Sequence, residues 1–219
     1  MPEKVTRPPI GAAEAEGAQH GRSLFGMDVA EAVALYAAGW FPMDDDHAAE
    51  LPWYAAEQRA VFPLDAEFRA GLRHQLRRDV RASLDLRFVV DGDYPSVLDV
   101  CATPPDDTEG VWITPRLKRL YRALHAARVA HSFELRTPEG ELAAGILAIV
   151  LGRAALLESM RKVRPRAGNA LLVATLDQLA ASRCELCDIQ LPTPHTLRLG
   201  AQLLPRAEYE RRLASALGR

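Results

Sequence analysis

The spacing of apolar residues predicts helices and short strands in alternation along the chain. Apolar positions recur every three or four residues after Asp28, Asp65 and Thr114, and each of these residues is of a type that caps helix N-termini. The segment Trp40–Tyr54, which is rich in aromatic residues, prolines and acids, predicts an ordered loop instead of a regular element. Further elements predicted in this half are strands at Val61–Pro63 and Phe88–Val90 and a short helix at Tyr94–Ala102.

The second half of the chain has a clearer pattern. Extended segments at His131–Arg136 and Glu141–Ala144 flank a turn, and the continuous apolar run Ile146–Leu151 predicts a buried strand with a return at Ala154–Glu158. The elements predicted next are an irregular basic stretch at Met160–Arg166, a helix from about Asn169 to Ser182, a strand at Cys184–Gln190, and helices at Thr193–Gly200 and Arg206–Leu217. Three antiparallel strands followed by helix, strand and helix are typical of an acyltransferase-type α/β fold with a mixed sheet.

Composition and charge narrow the class of protein. The 219 residues are 48% hydrophobic with no apolar run near the roughly 20 residues of a membrane span, so we expect no membrane partner. Residues 1–22 lack the apolar stretch of a signal peptide and are interpreted as a disordered tail. Three cysteines form no disulfide framework, so a cytoplasmic location is expected. The net charge of −2 argues against a dedicated DNA-binding protein but leaves room for a local basic patch.

Asp188 and Gln190 end the last predicted strand, just before Pro192. Residues two apart in a strand share one face, so the carboxylate and the amide are expected to project together. An Asp beside a Gln can accept a proton from an attacking amine while the amide orients the reacting centre. The alternative is that Asp188 only hydrogen-bonds a neighbouring turn, and spacing by itself favours that alternative.

Glu158 and Trp112 are the next candidates. Glu158 follows a run of Ala and Leu, and a charge at the end of a buried strand needs a partner, either a ligand ammonium or an internal Arg. Trp112 lies between an acidic loop and a capped helix, where it could stack on a nucleobase or belong to the core. The spacing leaves both choices open.

The basic stretch after Met160 holds four cations in six residues before a helix N-terminus: Arg161, Lys162, Arg164 and Arg166. They predict either a solvated loop or a phosphate-binding surface. Cys184 and Cys187 have the spacing of half a zinc site, but no second pair exists, so they are interpreted as inert core cysteines and no metal is expected.

Ten short pieces of the sequence, in order, resemble the leucyl/phenylalanyl-tRNA–protein transferases. The match runs in order from about Leu24 to Leu213, and ten collinear pieces at family-like spacing make a specific signal. The pieces are Tyr36-x-x-Gly39-x-Phe41-Pro42, Pro52-Trp53, Arg59-Ala60-Val61, Trp112-Ile113-Thr114, Leu124-His125, Ala130-His131-Ser132, Glu158-Ser159-Met160, Asp188-x-Gln190, Pro192-Thr193-Pro194-His195 and Leu199-Gly200-Ala201.

The resemblance implies an α/β (α+β) fold: an acyl-CoA N-acyltransferase-like (GNAT-type) mixed-sheet domain at residues 61–219, preceded by a small N-terminal domain at residues 23–60. Proteins of this family take Leu, Phe or Met from aminoacyl-tRNA and join it to the N-terminal Arg or Lys of a protein, which marks that protein for degradation. The implied partners are therefore the 3′ acceptor end of aminoacyl-tRNA and an acceptor protein or peptide. No cofactor, CoA or metal is implied, because the tRNA ester is already activated.

The resemblance also implies roles for individual residues. Asp188 and Gln190 are implied to be the catalytic pair. The residues implied to bind the aminoacyl group and its terminal adenosine are Glu158, Ser159, Met160, Trp112, Ile146 and Ala155. Arg161, Lys162, Arg164 and Arg166 are expected to bind the tRNA backbone.

Some positions differ from the family pattern. Met43 stands where the family usually has a Trp, and Ala155 and Leu157 replace an aromatic residue and a Gly before Glu158. Transfer from aminoacyl-tRNA is therefore better supported than the aminoacyl group or the acceptor, and a small-molecule amine stays an alternative acceptor. A CoA-dependent N-acetyltransferase is a further alternative, which Pro165 disfavours because such enzymes have Arg or Gln there. A tRNA-binding module without catalysis is the non-enzymatic alternative.

Overall fold

A seven-stranded mixed sheet lies at the centre of the computed structural model, which describes residues 28–44, 49–103 and 112–219. The strands are β1 (Phe41–Pro42), β2 (Trp53–Tyr54), β3 (Gln58–Phe62), β4 (Arg87–Val90), β5 (Ala130–Arg136), β6 (Leu142–Leu151), β7 (Ala154–Lys162), β8 (Leu186–Asp188) and β9 (Gln202–Pro205). The sheet order is β4-β5-β6-β7-β8-β3-β9, and β7 and β8 pair in parallel while the other neighbours are antiparallel. The predicted tail at residues 1–22 lies outside the described residues.

The helices in the described ranges are α1 (Val29–Ala37), α2 (Ala66–Gln75), α3 (Arg77–Arg81), α4 (Tyr94–Cys101), α5 (Pro115–Ala126), α6 (Ala167–Ala181), α7 (Pro194–Arg198) and α8 (Arg206–Ala216). Three of them, α1, α2 and α5, begin at the caps that the sequence predicts. The side chains of Asp28, Asp65 and Thr114 each accept a hydrogen bond from a backbone N–H three residues later, at 2.7, 2.8 and 3.3 Å. Such a bond stabilises a helix by about 1 kcal/mol, so these three helix starts follow from local sequence.

The two faces of the sheet are covered by different helices, which gives two cores. The first core joins the sheet to α1, α4, α5 and α8, and the second joins it to α2, α3 and α6. Gly145 of β6 lies under α4, where an added Cβ would meet the side chain of Val97 at 2.7 Å. The two extended segments predicted on either side of Gly145 form one continuous strand, β6.

Three sequence-based predictions are corrected by the structure. Trp40–Tyr54 is not wholly irregular, because β1 and β2 form a two-stranded antiparallel ribbon in which Pro42 lies opposite Trp53. Part of Met160–Arg166 is strand, because β7 continues to Lys162 along β6. The predicted strand Cys184–Gln190 is shorter, because β8 covers only Leu186–Asp188.

The expected boundary between residues 60 and 61 falls inside β3, which lies between β8 and β9 in the large sheet. The division at this boundary stays a prediction. None of the helices in the described ranges has the length and apolar character needed to cross a membrane.

Candidate active site

The candidate site lies where the parallel pair β7 and β8 ends. Pairing between the two strands stops at Leu156 and Asp188. Two residues further along each chain segment, Gln190 Nε2 donates a hydrogen bond to Glu158 Oε1 at 2.9 Å. The carboxyl and amide side chains predicted separately from the sequence therefore meet at one place, beyond the paired part of the sheet.

Glu158 has a second partner in helix α5. Its Oε2 accepts a hydrogen bond from the Tyr121 hydroxyl at 2.9 Å, and Tyr121 is buried in the first core. Burial raises the pKa of Glu158 to about 8, and the negative charge of Asp188 adds to the rise, while the Tyr121 hydrogen bond and Arg59 oppose it. A carboxyl group with this pKa can exchange a proton near neutral pH.

The hydroxyl of Tyr36 belongs to the same buried region. Burial raises its pKa well above the ordinary value, and the charge of Glu158 adds to this effect. Tyr36 is fully buried, and Tyr121 and Glu158 are the polar side chains that lie next to its hydroxyl. Its ring packs edge-on against Trp53, with 5.1 Å between the centroids.

Asp188 is fully buried and bound to Arg59, itself 1% exposed. Arg59 Nη2 donates to Asp188 Oδ2 at 2.6 Å, and Arg59 Nε lies 3.1 and 3.2 Å from the two carboxylate oxygens. Tyr209 of α8 donates from its hydroxyl to Oδ2 at 2.9 Å. Burial acts to lower the pKa of Arg59, but the charge of Asp188, the hydrogen bond to it and the charges of Tyr209 and Glu158 together outweigh burial, and the pKa is raised. The Asp188 carboxylate thus has several donors and no exposed surface.

Gln190 is held by its backbone. Its N–H donates to Asp188 Oδ1 at 2.8 Å, and its carbonyl accepts from the N–H of Ala60 at 2.9 Å. Its φ of +55° is in the left-handed region that residues other than glycine rarely adopt. Strand alternation does not extend to Gln190, because β8 ends at Asp188, but both side chains reach the first core: that of Asp188 at Tyr209, and that of Gln190 through Glu158 at Tyr121.

The other residues expected to bind the aminoacyl group lie in two environments. Ser159 and Met160 follow Glu158 in β7, and Met160 is 41% exposed. Ile146 and Ala155 are fully buried in the second core, whereas Tyr121 belongs to the first. The structure therefore does not bring Ile146 and Ala155 together with Glu158 and Gln190.

Trp112, expected to bind the terminal adenosine, is partly buried and packs against the first core. Two residues later, the hydroxyl of Thr114 donates to the buried Asp44 at 2.5 Å, and Arg116 forms an ion pair with the same carboxylate. These contacts join the start of α5 to the segment that contains Met43. Asp44 therefore links the start of α5, which follows Trp112, to Met43.

The four expected tRNA-binding cations lie at the end of β7 and before α6. Arg161 donates to the carbonyl of Thr103 at 2.5 Å and is partly buried, whereas the other three are exposed. Arg164 pairs with Asp85 at 2.6 Å, and Arg166 Nε lies 3.9 Å from Asp79. Lys162 has no ion pair with any described residue. The cluster is an accessible basic surface, partly neutralised by acids.

Sequence reasoning from local pattern did not assign a role to Arg59, Tyr121 or Tyr209. A charged residue in the apolar strand segment Gln58–Phe62 was a signal, because a buried guanidinium needs a buried partner. The two tyrosines occupy ordinary core positions of amphipathic helices, and nothing in their spacing reveals the polar partner of each hydroxyl.

No group of three or more His, Cys, Asp or Glu side chains in the described ranges is arranged to hold a metal ion. Cys187 is buried in β8, and burial raises the pKa of its thiol well above the ordinary value. Cys184 lies before β8 and is partly exposed, so the two thiols are not on one strand as the sequence had predicted.

Comparison with known proteins gives consistent matches over most of the chain. A family model described as leucyl/phenylalanyl-tRNA protein transferase matches residues 61–214. A leucyl/phenylalanyl-tRNA–protein transferase of Synechococcus sp. (strain JA-3-3Ab) is 38% identical over 192 residues, which cover 87% of this chain and 95% of that protein. A protein with the same name from Salinibacter ruber (strain DSM 13855 / M31) is 38% identical over 185 residues, covering 84% of this chain and 78% of that protein. The crystal structure of FemX matches with a TM-score of 0.51 and 12% identity, covering 86% of this chain and 71% of that chain, which is a similarity of fold.

Proposed function

The chain belongs to the family of leucyl/phenylalanyl-tRNA–protein transferases, and we propose on this basis that it transfers an aminoacyl group from a charged tRNA to the N-terminal amine of a protein. The proposed donors carry Leu, Phe or Met, and the proposed acceptors begin with Arg or Lys. The observation that carries the proposed site is the hydrogen bond between Gln190 and Glu158, which places an amide and a titratable carboxyl group together.

The reaction exchanges an ester for an amide. The nitrogen of the acceptor amine attacks the ester carbonyl carbon, a C–N bond forms, and the bond between that carbon and the ribose oxygen breaks. The nitrogen loses one proton and the ribose oxygen gains one, so the step is balanced without a further reactant. What the protein must supply is orientation of the amine, a site for the proton, and stabilisation of the developing oxyanion.

Glu158 and Gln190 fit these requirements as the groups at the reacting centre. Burial raises the pKa of Glu158 to about 8, so the fraction of molecules in which it is ionised grows as the pH approaches 8, and in these molecules its carboxylate can take the proton of the amine. The amide of Gln190 can orient the amine or the ester carbonyl. Asp188 is fully buried against Arg59, so we assign it the role of holding Gln190 instead of contacting the substrates.

The finer fold assignment is also a proposal: residues 61–219 form a domain of the acyl-CoA N-acyltransferase type, and residues 23–60 a small N-terminal domain. The mixed sheet and the fold similarity to FemX support a mixed α/β domain of this general architecture. Pro165 disfavours CoA as the donor, since it stands where CoA-dependent enzymes have Arg or Gln.

For the tRNA, we propose that the basic surface of Arg161, Lys162, Arg164 and Arg166 binds backbone phosphates. Lys162 is free of ion pairs with described residues, and Arg164 and Arg166 can exchange carboxylate partners for phosphate oxygens. Trp112, braced through Thr114 and Asp44, is proposed to contact the terminal adenosine. A contact limited to the acceptor end requires a local basic surface and is compatible with a net charge of −2.

The test is a transfer assay with mixed charged tRNAs and a panel of acceptors, read by mass spectrometry of the products. The acceptors are peptides that begin with Arg, Lys or Ala, an acetylated Arg peptide as the matched control, and free amines. We expect addition of one Leu, Phe or Met residue to the Arg and Lys peptides and none to the acetylated peptide. Products formed only on free amines would show that the acceptor is a small amine and not a protein. An absence of products on every acceptor would refute the proposal.

A further inference from the structure

Arg59, Asp188 and Tyr209 form a buried polar cluster, and removing its charged groups from water costs free energy. Both members of the ion pair have almost no exposed surface. A buried ion pair commonly adds no more stability than apolar residues of the same volume, because desolvation offsets the attraction. Folding stability alone therefore explains poorly why these charged residues are buried. Their contacts with the candidate site give a more specific explanation.

The contact with the site runs through Gln190. Asp188 Oδ1 accepts the N–H of Gln190 at 2.8 Å, and Ala60, the neighbour of Arg59 in β3, donates to the carbonyl of Gln190 at 2.9 Å. Both polar backbone groups of Gln190 are thus fixed while its φ is +55°. A left-handed residue with a side chain is strained and persists where surrounding contacts determine its conformation. The resulting direction of the side chain lets Nε2 reach Glu158.

The position of the Asp188 carboxylate is in turn set by Arg59 and Tyr209. The guanidinium of Arg59 lies between two aromatic rings, 4.5 Å from the centroid of Phe41 and 4.7 Å from that of Tyr209. Its Nη1 also donates to the carbonyl of Gly39 at 3.3 Å. A lysine ammonium at this position can neither stack between two rings nor present a planar pair of donors to the carboxylate.

We propose that Arg59 and Tyr209 are positioning residues for aminoacyl transfer. They hold the carboxylate of Asp188 in position through an ion pair and a hydrogen bond, and through it they hold the amide of Gln190 at Glu158 without contacting either substrate. This inference rests on the proposed function, because its consequence is measured as a rate of transfer. It assigns to β3 and α8 a part in the reaction that the position of Glu158 and Gln190 alone does not show.

The experiment compares Arg59→Lys and Tyr209→Phe with the wild-type chain in the transfer assay, at a temperature where each variant is folded. Arg136→Lys is the matched control, because Arg136 pairs with the fully buried Glu134 on β5, which β6 and β7 separate from β8. Measured quantities are kcat, the KM for aminoacyl-tRNA, and the unfolding midpoint in urea. Tyr209→Phe keeps the ring that stacks on Arg59 and loses only the hydroxyl. This variant therefore still tests the proposal if Arg59→Lys fails to fold.

We expect Arg59→Lys to lower kcat by about 10- to 100-fold and Tyr209→Phe by about 3- to 10-fold, since small displacements of a reacting group have effects of this order. The KM for aminoacyl-tRNA is expected to stay within about twofold, and kcat of the control within about twofold of wild type. The inference is overturned if folded Arg59→Lys or Tyr209→Phe keeps wild-type kcat, or if the control loses as much. A wild-type chain without transfer activity overturns the proposed function and with it this inference.

Discussion

The replacement Glu158→Gln tests whether this carboxyl group is neutral in the folded protein. Gln has the same shape, stays uncharged at every pH, and keeps an oxygen that can accept the hydrogen bond of Tyr121. In the wild-type chain, burial raises the pKa of Glu158 from its ordinary value of 4.5 to about 8. The variant therefore removes one titration and leaves the packing nearly unchanged.

The sign of the effect follows from proton binding. Between pH 4.5 and about 8 the folded protein retains a proton on Glu158 that the unfolded chain releases, so the contribution of Glu158 to stability falls as pH rises through this window and is level above it. One pH unit corresponds to about 1.4 kcal/mol, so the full window is worth at most about 5 kcal/mol. Because Glu158 is partly exposed, water reduces the expected value to about 2 to 4 kcal/mol.

The assay is urea unfolding of wild type and Glu158→Gln at pH 5, 6, 7, 8 and 9, followed by circular dichroism and tryptophan fluorescence, whose agreement tests for a single transition. The variant is expected to gain about 2 to 4 kcal/mol relative to wild type between pH 5 and pH 9. Glu139→Gln is the control, because it makes the same chemical change at a side chain that is exposed in the folded protein. A Glu158→Gln difference that changes by less than about 0.5 kcal/mol over this range would refute a neutral, buried carboxyl group.

Three further predictions concern the site, the core and the tRNA surface. Gln190→Ala is expected to lower kcat for transfer by about 100-fold or more while binding of aminoacyl-tRNA changes little, and equal losses in both would contradict a role at the reacting centre. Gly145→Ala is expected to lower the free energy of unfolding by about 1 to 3 kcal/mol because the new methyl group meets Val97, whereas Gly71→Ala, with open space around it, should leave the protein as stable or more stable. Lys162→Ala is expected to weaken tRNA binding to the same degree for different tRNAs and to reduce the slope of log K against log salt by about 1, and an unchanged slope would remove Lys162 from the phosphate-binding surface.

The elements predicted correctly are those whose signal is local. Asp28, Asp65 and Thr114 cap helices through bonds to residues three positions away, which a short stretch of sequence is sufficient to specify. The strands β5 to β7 are marked by apolar runs and by turns between neighbours in the chain. The ribbon of β1 and β2 escaped prediction because strands of two residues have no periodicity to detect.

At the site, the sequence indicated which residues matter better than how they are arranged. Glu158 and Gln190 each stand out at the end of an apolar segment, but the length of β8 depends on its pairing with β3 and β7. The paired part of β8 ends at Asp188, and no pattern in the neighbouring sequence predicts the left-handed backbone conformation of Gln190. The partners of Asp188 come from residues as far as 129 positions away, so only the folded chain shows that this carboxylate is enclosed.

The place of β3 in the sheet has a consequence for the order in which the protein is made. This strand, complete by Phe62, lies between β8 and β9, whose residues leave the ribosome more than a hundred positions later. Until then Arg59 lacks its counter-ion, and Gln190 itself has not been synthesised. A nascent chain can therefore form α2 and the β5–β6 hairpin early, while assembly of the site waits for synthesis of β8 and of Tyr209 in α8. The growing chain therefore cannot become competent for transfer before Tyr209 has been synthesised.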